Sequence, residues 1–368
     1  MFAPLVDTWV HFATTANVEE LCLLLSWGYR RRTTYVLPQY LYTNSSSMTT
    51  LRFTACHVVP NGLISWKSLK SLFIGDTVLS NDVIQKIFVG APVLESMELY
   101  GCWGFTRLDI GSANLRKLVV GDYWAFWRAE NEVALEISAP NLQSLGIFGE
   151  IHRNRLRLMN IQSLDDCHLN FEVKTAVEDY DNDFEELRNM VGELLDRLRH
   201  VKKLTMGNWC IQVLSISELK GMLSSMPNCK CLILDMYRKC DILGIGGLLL
   251  SSLNLETLVI NTTSLYGLTS LNKYVFDEDF LENYWSLESR SSKCSLLHLK
   301  NVKIVGFTGR HRESELVILL VRFLLEKTGT LEKIIIDART GMKCPPKKLF
   351  ELSSKFTQNL TQCSSYVL

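Results

Sequence analysis

The sequence predicts an α/β repeat solenoid, in which short strands stack into a curved parallel sheet with helices and loops on its convex side. Three observations predict it. A six-residue pattern (apolar, two variable, apolar, one variable, apolar) recurs twelve times along the 368 residues. Successive copies stand mostly 21 to 32 residues apart, with wider gaps before Val201 and Leu299. Several of the intervals between copies carry helical periodicity. A strand-bearing period of about 20–29 residues is the signature of leucine-rich repeats, so the fold class read from the sequence is an α/β leucine-rich-repeat solenoid.

The copies begin at residues 18, 48, 69, 94, 115, 142, 164, 201, 229, 255, 299 and 331. Each closes on alternation of apolar and variable residues, which puts the apolar side chains on one face of a strand and the variable ones on the other. Proline or asparagine precedes several copies, as in Pro92-Val93-Leu94, Asn114-Leu115, Pro140-Asn141-Leu142 and Asn254-Leu255. These residues end one element and turn the chain into the next strand. Cys56 and Cys102 stand three residues beyond the last apolar position of their copies, where leucine-rich repeats place Asn or Cys at a turn.

Between the strands, four segments are expected to be helical. Residues 81–89 follow Ser80 as N-cap and stop at Gly90 and Pro92. Residues 184–201 and 216–226 carry apolar residues close to helical spacing, the second ending at Pro227. Residues 313–327 bring Leu316, Leu319, Leu320, Phe323 and Leu324 to one side before Gly329.

Composition narrows the function. Lys+Arg and Asp+Glu are both 39, which removes the electrostatic footprint of a nucleic-acid binder. The basic clusters at residues 30–32 and 152–155 read as solvated loops. Eleven cysteines at irregular spacing give neither a disulfide framework nor a zinc signature, and point to reduced thiols in the cytoplasm or nucleus. The longest apolar run, residues 243–253, is half a membrane span and holds three glycines, so no membrane partner is expected. No phosphate loop, nucleophile elbow or H-E-x-x-H motif occurs, and Gly244-Ile245-Gly246-Gly247 lacks the spacing of a dinucleotide site. The acidic residues 178–183 lack the glycine and terminal glutamate of a calcium loop and read as an exposed insertion. No catalytic, cofactor or metal residue is assigned, and no enzymatic role is expected.

The architecture points to binding. Counting along the pattern, Arg52, Phe73, Glu98, Tyr100 and Phe148 project from the concave face. Three aromatics and two charges match the composition of interface hot spots; packing against neighbouring repeats is the competing role for them. Val119, Val259 and Ile335 also count outward and call for cover, which the insertion at residues 262–295 is placed to supply.

Trp9 to Ala13 (WVHFA) with Val18 to Leu21 (VEEL), Tyr35 to Pro38 (YVLP), Ser65 to Lys70 (SWKSLK) and Pro92 to Ser96 (PVLES) resemble the leucine-rich-repeat region of plant F-box/LRR proteins that end in an FBD domain. Cys294 to Lys300 (CSLLHLK), Val302 to Ile304 (VKI) and Gly306 to Gly309 (GFTG) resemble the FBD signature. The resemblance implies a leucine-rich-repeat region over 1–284, an FBD-like strand-helix-strand unit over 285–340 and a tail over 341–368. It also implies a function: a protein–protein interaction module serving as the substrate-recognition part of an SCF-type E3 ubiquitin ligase, with a protein target as partner. Members of the family usually open with an F-box, which this sequence lacks; Skp adaptor and cullin are therefore expected as partners only if the full-length product carries one. The alternative is an F-box-less binding or scaffold protein with no ubiquitin role.

Overall fold

A computed structural model describes residues 3–26, 35–123, 134–152, 156–174, 180–218, 226–236, 241–262, 296–307, 311–328 and 330–338. The chain forms two compact units, Met1–Asp165 with Phe171–Val177, and Asp166–Asn170 with Glu178–Leu368.

The first unit opens with helix α1 (Ala3–Thr15), which buries Val6, Val10 and Thr14 along one stripe. Strands β1 (Glu20–Leu24), β3 (Thr50–Thr54), β5 (Ser71–Gly75), β6 (Ser96–Tyr100), β8 (Lys117–Gly121) and β10 (Ser144–His152) then pair in that order as one parallel ladder. Between them lie β2 (Tyr35–Val36), α2 (Gln39–Thr43), β4 (Cys56–His57), α3 (Asn81–Gly90), β7 (Arg107–Asp109), β9 (Leu135–Ser138) and β11 (Leu156–Met159). β7, β9 and β11 make a second parallel ladder, and β2 pairs with β4.

In the second unit β12 (Asp166–Lys174) pairs through residues 166–169 with β13 (Lys203–Met206). The ladder continues in parallel through β14 (Cys231–Asp235), β15 (Thr257–Asn261), β16 (Asn301–Phe307) and β17 (Lys333–Ala338). Its helices are α4 (Tyr180–Arg197), α5 (Asn208–Glu218), α6 (Asp241–Ser251) and α7 (His311–Lys327). This is the leucine-rich-repeat architecture that the spacing predicts. Every one of the twelve sequence copies holds a strand, and each strand starts two residues after the first apolar residue of its copy.

The pattern works because both halves of it are buried. Its first residue closes a tight turn on the residue three before, as Leu94 N–H donates to Ala91 O at 3.2 Å and Leu255 N–H to Ser252 O at 3.1 Å. The alternating pair then faces inward: Leu51 with Phe53, Leu72 with Ile74, Met97 with Leu99 and Leu118 with Val120 are all buried. Ile334 and Ile336 on β17 are only half-buried; among the described residues β17 pairs with β16 alone. Asparagines three residues before a strand tie each repeat to the one before. Asn114 Nδ2 donates to Pro92 O at 2.8 Å, and Asn254 Nδ2 to Pro227 O at 2.6 Å. Asn141 and Asn228 repeat the contact with Ser112 O and Arg199 O. Each bond satisfies a turn carbonyl that no strand partner reaches.

The helices match the sequence reading unevenly. α3 is capped by the Ser80 hydroxyl, which accepts from Val83 N–H at 3.2 Å, as expected. α7 covers the predicted 313–327. The helix expected over 184–201 runs from Tyr180 to Arg197 instead. Its first turn lies inside the acidic stretch read as an exposed insertion, because carboxylates favour the positive end of a helix. The helix expected over 216–226 is misplaced: α5 occupies Asn208–Glu218, and residues 219–225 lie outside the described residues. Residues 208–215 of α5 are all buried, and a helix buried on every side has no apolar stripe to detect. The glycine-rich 243–253 segment lies largely within α6, where Gly244 packs against α5. A Cβ on Gly244 would stand 2.6 Å from Ile211 O and 2.7 Å from Ser215 Oγ, so only glycine allows this approach.

Candidate binding face

The alternation that buries one face of each strand projects the other, and the register of the first unit sorts its residues into columns. One column runs Cys22, Arg52, Phe73, Glu98, Val119 and Gly146. The next runs Leu24, Thr54, Gly75, Tyr100, Gly121 and Phe148. All five residues expected to project therefore share one face, in two adjacent columns. Three of them also touch one another. The Arg52 guanidinium lies over the Phe73 ring, 4.4 Å from its centroid, and Phe73 stacks with Tyr100 at 5.7 Å and 25°. Glu98 takes a 2.7 Å ion pair from Lys117 on the next strand.

Glycines decide how the rings lie. A Cβ on Gly121 would meet the Tyr100 ring, and one on Gly146 the Phe148 ring. Both aromatics thus lie flat over strand backbone, with the missing side chains making the room. Val119 sits beside this floor, next to Gly146 and two residues from Gly121. Although it counts outward, it is only 5% exposed. Val259 and Ile335 are half-buried, and the 262–295 segment expected to cover them lies, apart from Thr262, outside the described residues. So do Arg30, Arg31, Arg32, Arg153 and Arg155.

Beyond the second column the chain turns through a left-handed residue in strand after strand: Ala55, Asp76, Gly101, Asp122 and Gly149 all have positive φ. The N–H of Asp76 donates to Tyr100 O, that of Gly101 to Gly121 O and that of Asp122 to Phe148 O, at 2.8, 2.9 and 3.0 Å. The turn is therefore a second ladder, fixed as firmly as the strands. Aspartate tolerates this conformation better than most side chains, and a carboxylate oxygen of Asp122 accepts Glu150 N–H at 3.0 Å. The residue after the left-handed position fills the corner in the first four of these turns. Cys56, Thr77 and Cys102 are buried there, and their side chains donate to strand-end carbonyls, Thr77 Oγ1 to Gly75 O at 2.7 Å. The two cysteines thus occupy the turn position read from the pattern. Burial pushes the Cys56 and Cys102 thiols up to about 12.

Two acidic groups at this rim were not singled out by the strand pattern. Asp76 and Asp122 follow the second column directly, on either side of Gly101, and a Cβ on Gly101 would stand 2.5 Å from Asp76 Oδ1. Burial first, then the Asp122 charge, raises the Asp76 carboxyl above its ordinary value. Burial, then Glu98, likewise raises the Tyr100 phenol; Lys117 opposes the shift and Asp122 adds to it. The only sequence signal for this pair was position: aspartate immediately after a strand's last outward residue.

The corresponding face of the second unit differs in kind. One column there holds His168, Thr205, Ile233, Val259, Lys303 and Ile335. Two ion pairs lie on this face, Lys203 with Asp166 at 2.9 Å and Lys303 with Asp337 at 3.8 Å. Among the described residues no group of three or more His, Cys, Asp or Glu is placed to hold a metal ion, and no helix is long and apolar enough to cross a membrane.

Comparison with known proteins places this geometry among relatives. The family described as "At1g61320/AtMIF1, LRR domain" matches residues 2–366. F-box/LRR-repeat protein At5g02910 of Arabidopsis thaliana is 31% identical over 342 residues, covering 90% of this chain and 70% of its own length. F-box/LRR-repeat protein At3g03360 of the same plant is 27% identical over 90% of this chain and 65% of its own length. Putative F-box/LRR-repeat protein At5g02930 is 27% identical over 95% and 72%. The chain thus spans about two thirds of the length of these relatives.

Proposed function

The chain belongs to the At1g61320/AtMIF1 leucine-rich-repeat domain family, and from that premise we propose that it is a protein-binding module, the substrate-recognition part of an SCF-type E3 ubiquitin ligase. Relatives named as F-box/LRR-repeat proteins support the ligase link. In this reading Arg52, Phe73, Glu98, Tyr100 and Phe148 hold a protein target, and the strand-helix-strand end that includes β16, α7 and β17 closes the repeat array.

One observation carries the reading. Five residues from four repeats share one side of a hydrogen-bonded sheet, with the Tyr100 and Phe148 rings held over glycines. A rigid frame spends little entropy when it binds, and aromatic side chains with arginine supply most hot-spot energy. Such a surface is broad and shallow, suited to another protein rather than to a small substrate, which takes a concave pocket.

The test is affinity capture from plant extract with the chain as bait, read for ligase subunits. Recovery of Skp adaptor and cullin with a protein target supports the receptor role. A reproducible target without either ligase subunit refutes that role and leaves an interaction or scaffold protein.

A further inference from the structure

The rim of the same face carries charge that no ion pair among the described residues neutralises. Asp76 and Asp122 are both exposed. Among the described residues neither has a cation within ion-pair distance, whereas Glu98 beside them is matched by Lys117. Partial desolvation by the neighbouring turns, then the Asp122 charge, raises the Asp76 carboxyl. The turn ladder fixes the backbone of both, Asp76 N–H on Tyr100 O and Asp122 N–H on Phe148 O. Between them lies Gly101, the residue after Tyr100, and the Tyr100 ring spreads over Gly121, the residue before Asp122. An aromatic ring is thus bracketed by two carboxylates. Ring faces attract cations through their quadrupole, and the chain itself does this one strand away, where Arg52 sits on Phe73.

We infer that the target docks a basic segment on this face, with an arginine or lysine side chain lying on the Tyr100 ring and its cationic head between Asp76 and Asp122. The inference rests on the protein-binding reading above and adds the chemistry of the partner. Charge complementarity selects a basic protein segment: an acidic one would meet two fixed carboxylates, and a nucleic acid would bring phosphates to the same place. Arginine fits better than lysine because its planar guanidinium stacks on the ring while its N–H groups reach both carboxylates.

The direct test uses the full chain and two labelled peptide probes, one of alternating arginine and serine and one with glutamate in place of arginine, read by fluorescence anisotropy. The variants are Asp76→Asn/Asp122→Asn, Tyr100→Ala, and a control, Asp82→Asn/Glu95→Gln, that removes the same charge elsewhere in the unit. Asparagine keeps both the left-handed turn and the acceptor for Glu150 N–H, so the rim variant retains its backbone. The arginine probe is expected to bind, and to weaken between about twofold and thirtyfold in the rim variant, the range given by two exposed charge pairs. Tyr100→Ala is expected to weaken it as well, and the control to leave it unchanged. Equal weakening by the rim and control variants, or equal binding of the glutamate probe, overturns the inference. Partner capture separates the two levels. A target lost on Tyr100→Ala but kept by the rim variant removes the basic partner while the face stands; a target kept by both removes the face.

Discussion

A leucine that faces inward from a strand and a tyrosine that faces outward at a strand's end have opposite duties. Leu118 is fully buried, and Leu118→Ala is expected to cost about 2–5 kcal/mol, the range for a leucine deleted from a packed core. Tyr100→Ala loses its stack with Phe73 and its cover of Gly121 but opens no core cavity, and is expected to cost about 1 kcal/mol. Chemical unfolding of the two variants checks this, and equal losses would mean that Tyr100 is a core residue. The cysteines give a second test. Cys22 is exposed, whereas Cys56, Cys102, Cys210 and Cys229 are buried with thiols pushed up to about 12. Alkylation of the native protein near neutral pH should therefore label Cys22 well ahead of those four, since only thiolate reacts; labelling of Cys102 at the rate of Cys22 would show that the corner is open. Side-chain direction was legible because the strand period is two. The flat posture of the rings was not, because it depends on Gly121 and Gly146, whose absent side chains leave no mark in an apolar pattern.

Strands and helices differed in how far the sequence revealed them. All twelve strands lie two residues into their copies because one short motif serves as turn and strand together. The asparagine before a copy was readable as a turn residue; its bond to the previous repeat, as from Asn254 to Pro227, required the fold. α5 was misplaced because its buried polar residues, Asn208, Gln212 and Ser215, recur at helical spacing where a stripe of apolar ones is sought. The short strands β7, β9 and β11 went unpredicted since each is only three or four residues long. The contact of α6 with α5 makes its own prediction. Gly244→Val places carbon against Ile211 O and Ser215, where backbone cannot yield, and is expected to lower stability by about 1–3 kcal/mol. A melting temperature equal to that of the parent would show that the two helices do not meet at this glycine.

Across the molecule, repetition determines both what is stable and what can bind. Each strand buries its inward residues against its neighbours, so stability is shared along the array. The outward residues are released from that duty and are free to differ between the units. In the first unit they form an aromatic surface with an acidic rim; in the second they are aliphatic residues and internally matched ion pairs. The identity of the target lay beyond the sequence, because affinity depends on a few anchors whose spacing is set by strand register rather than by chain order. The measurement that bears most directly on the central claim is quantitative capture of the target from plant extract by the parent chain and by Tyr100→Ala, with circular dichroism melts of both. Loss of the target by the variant, at nearly unchanged melting temperature, is the predicted result. Undiminished capture by a folded Tyr100→Ala chain would contradict the account and move the binding surface elsewhere.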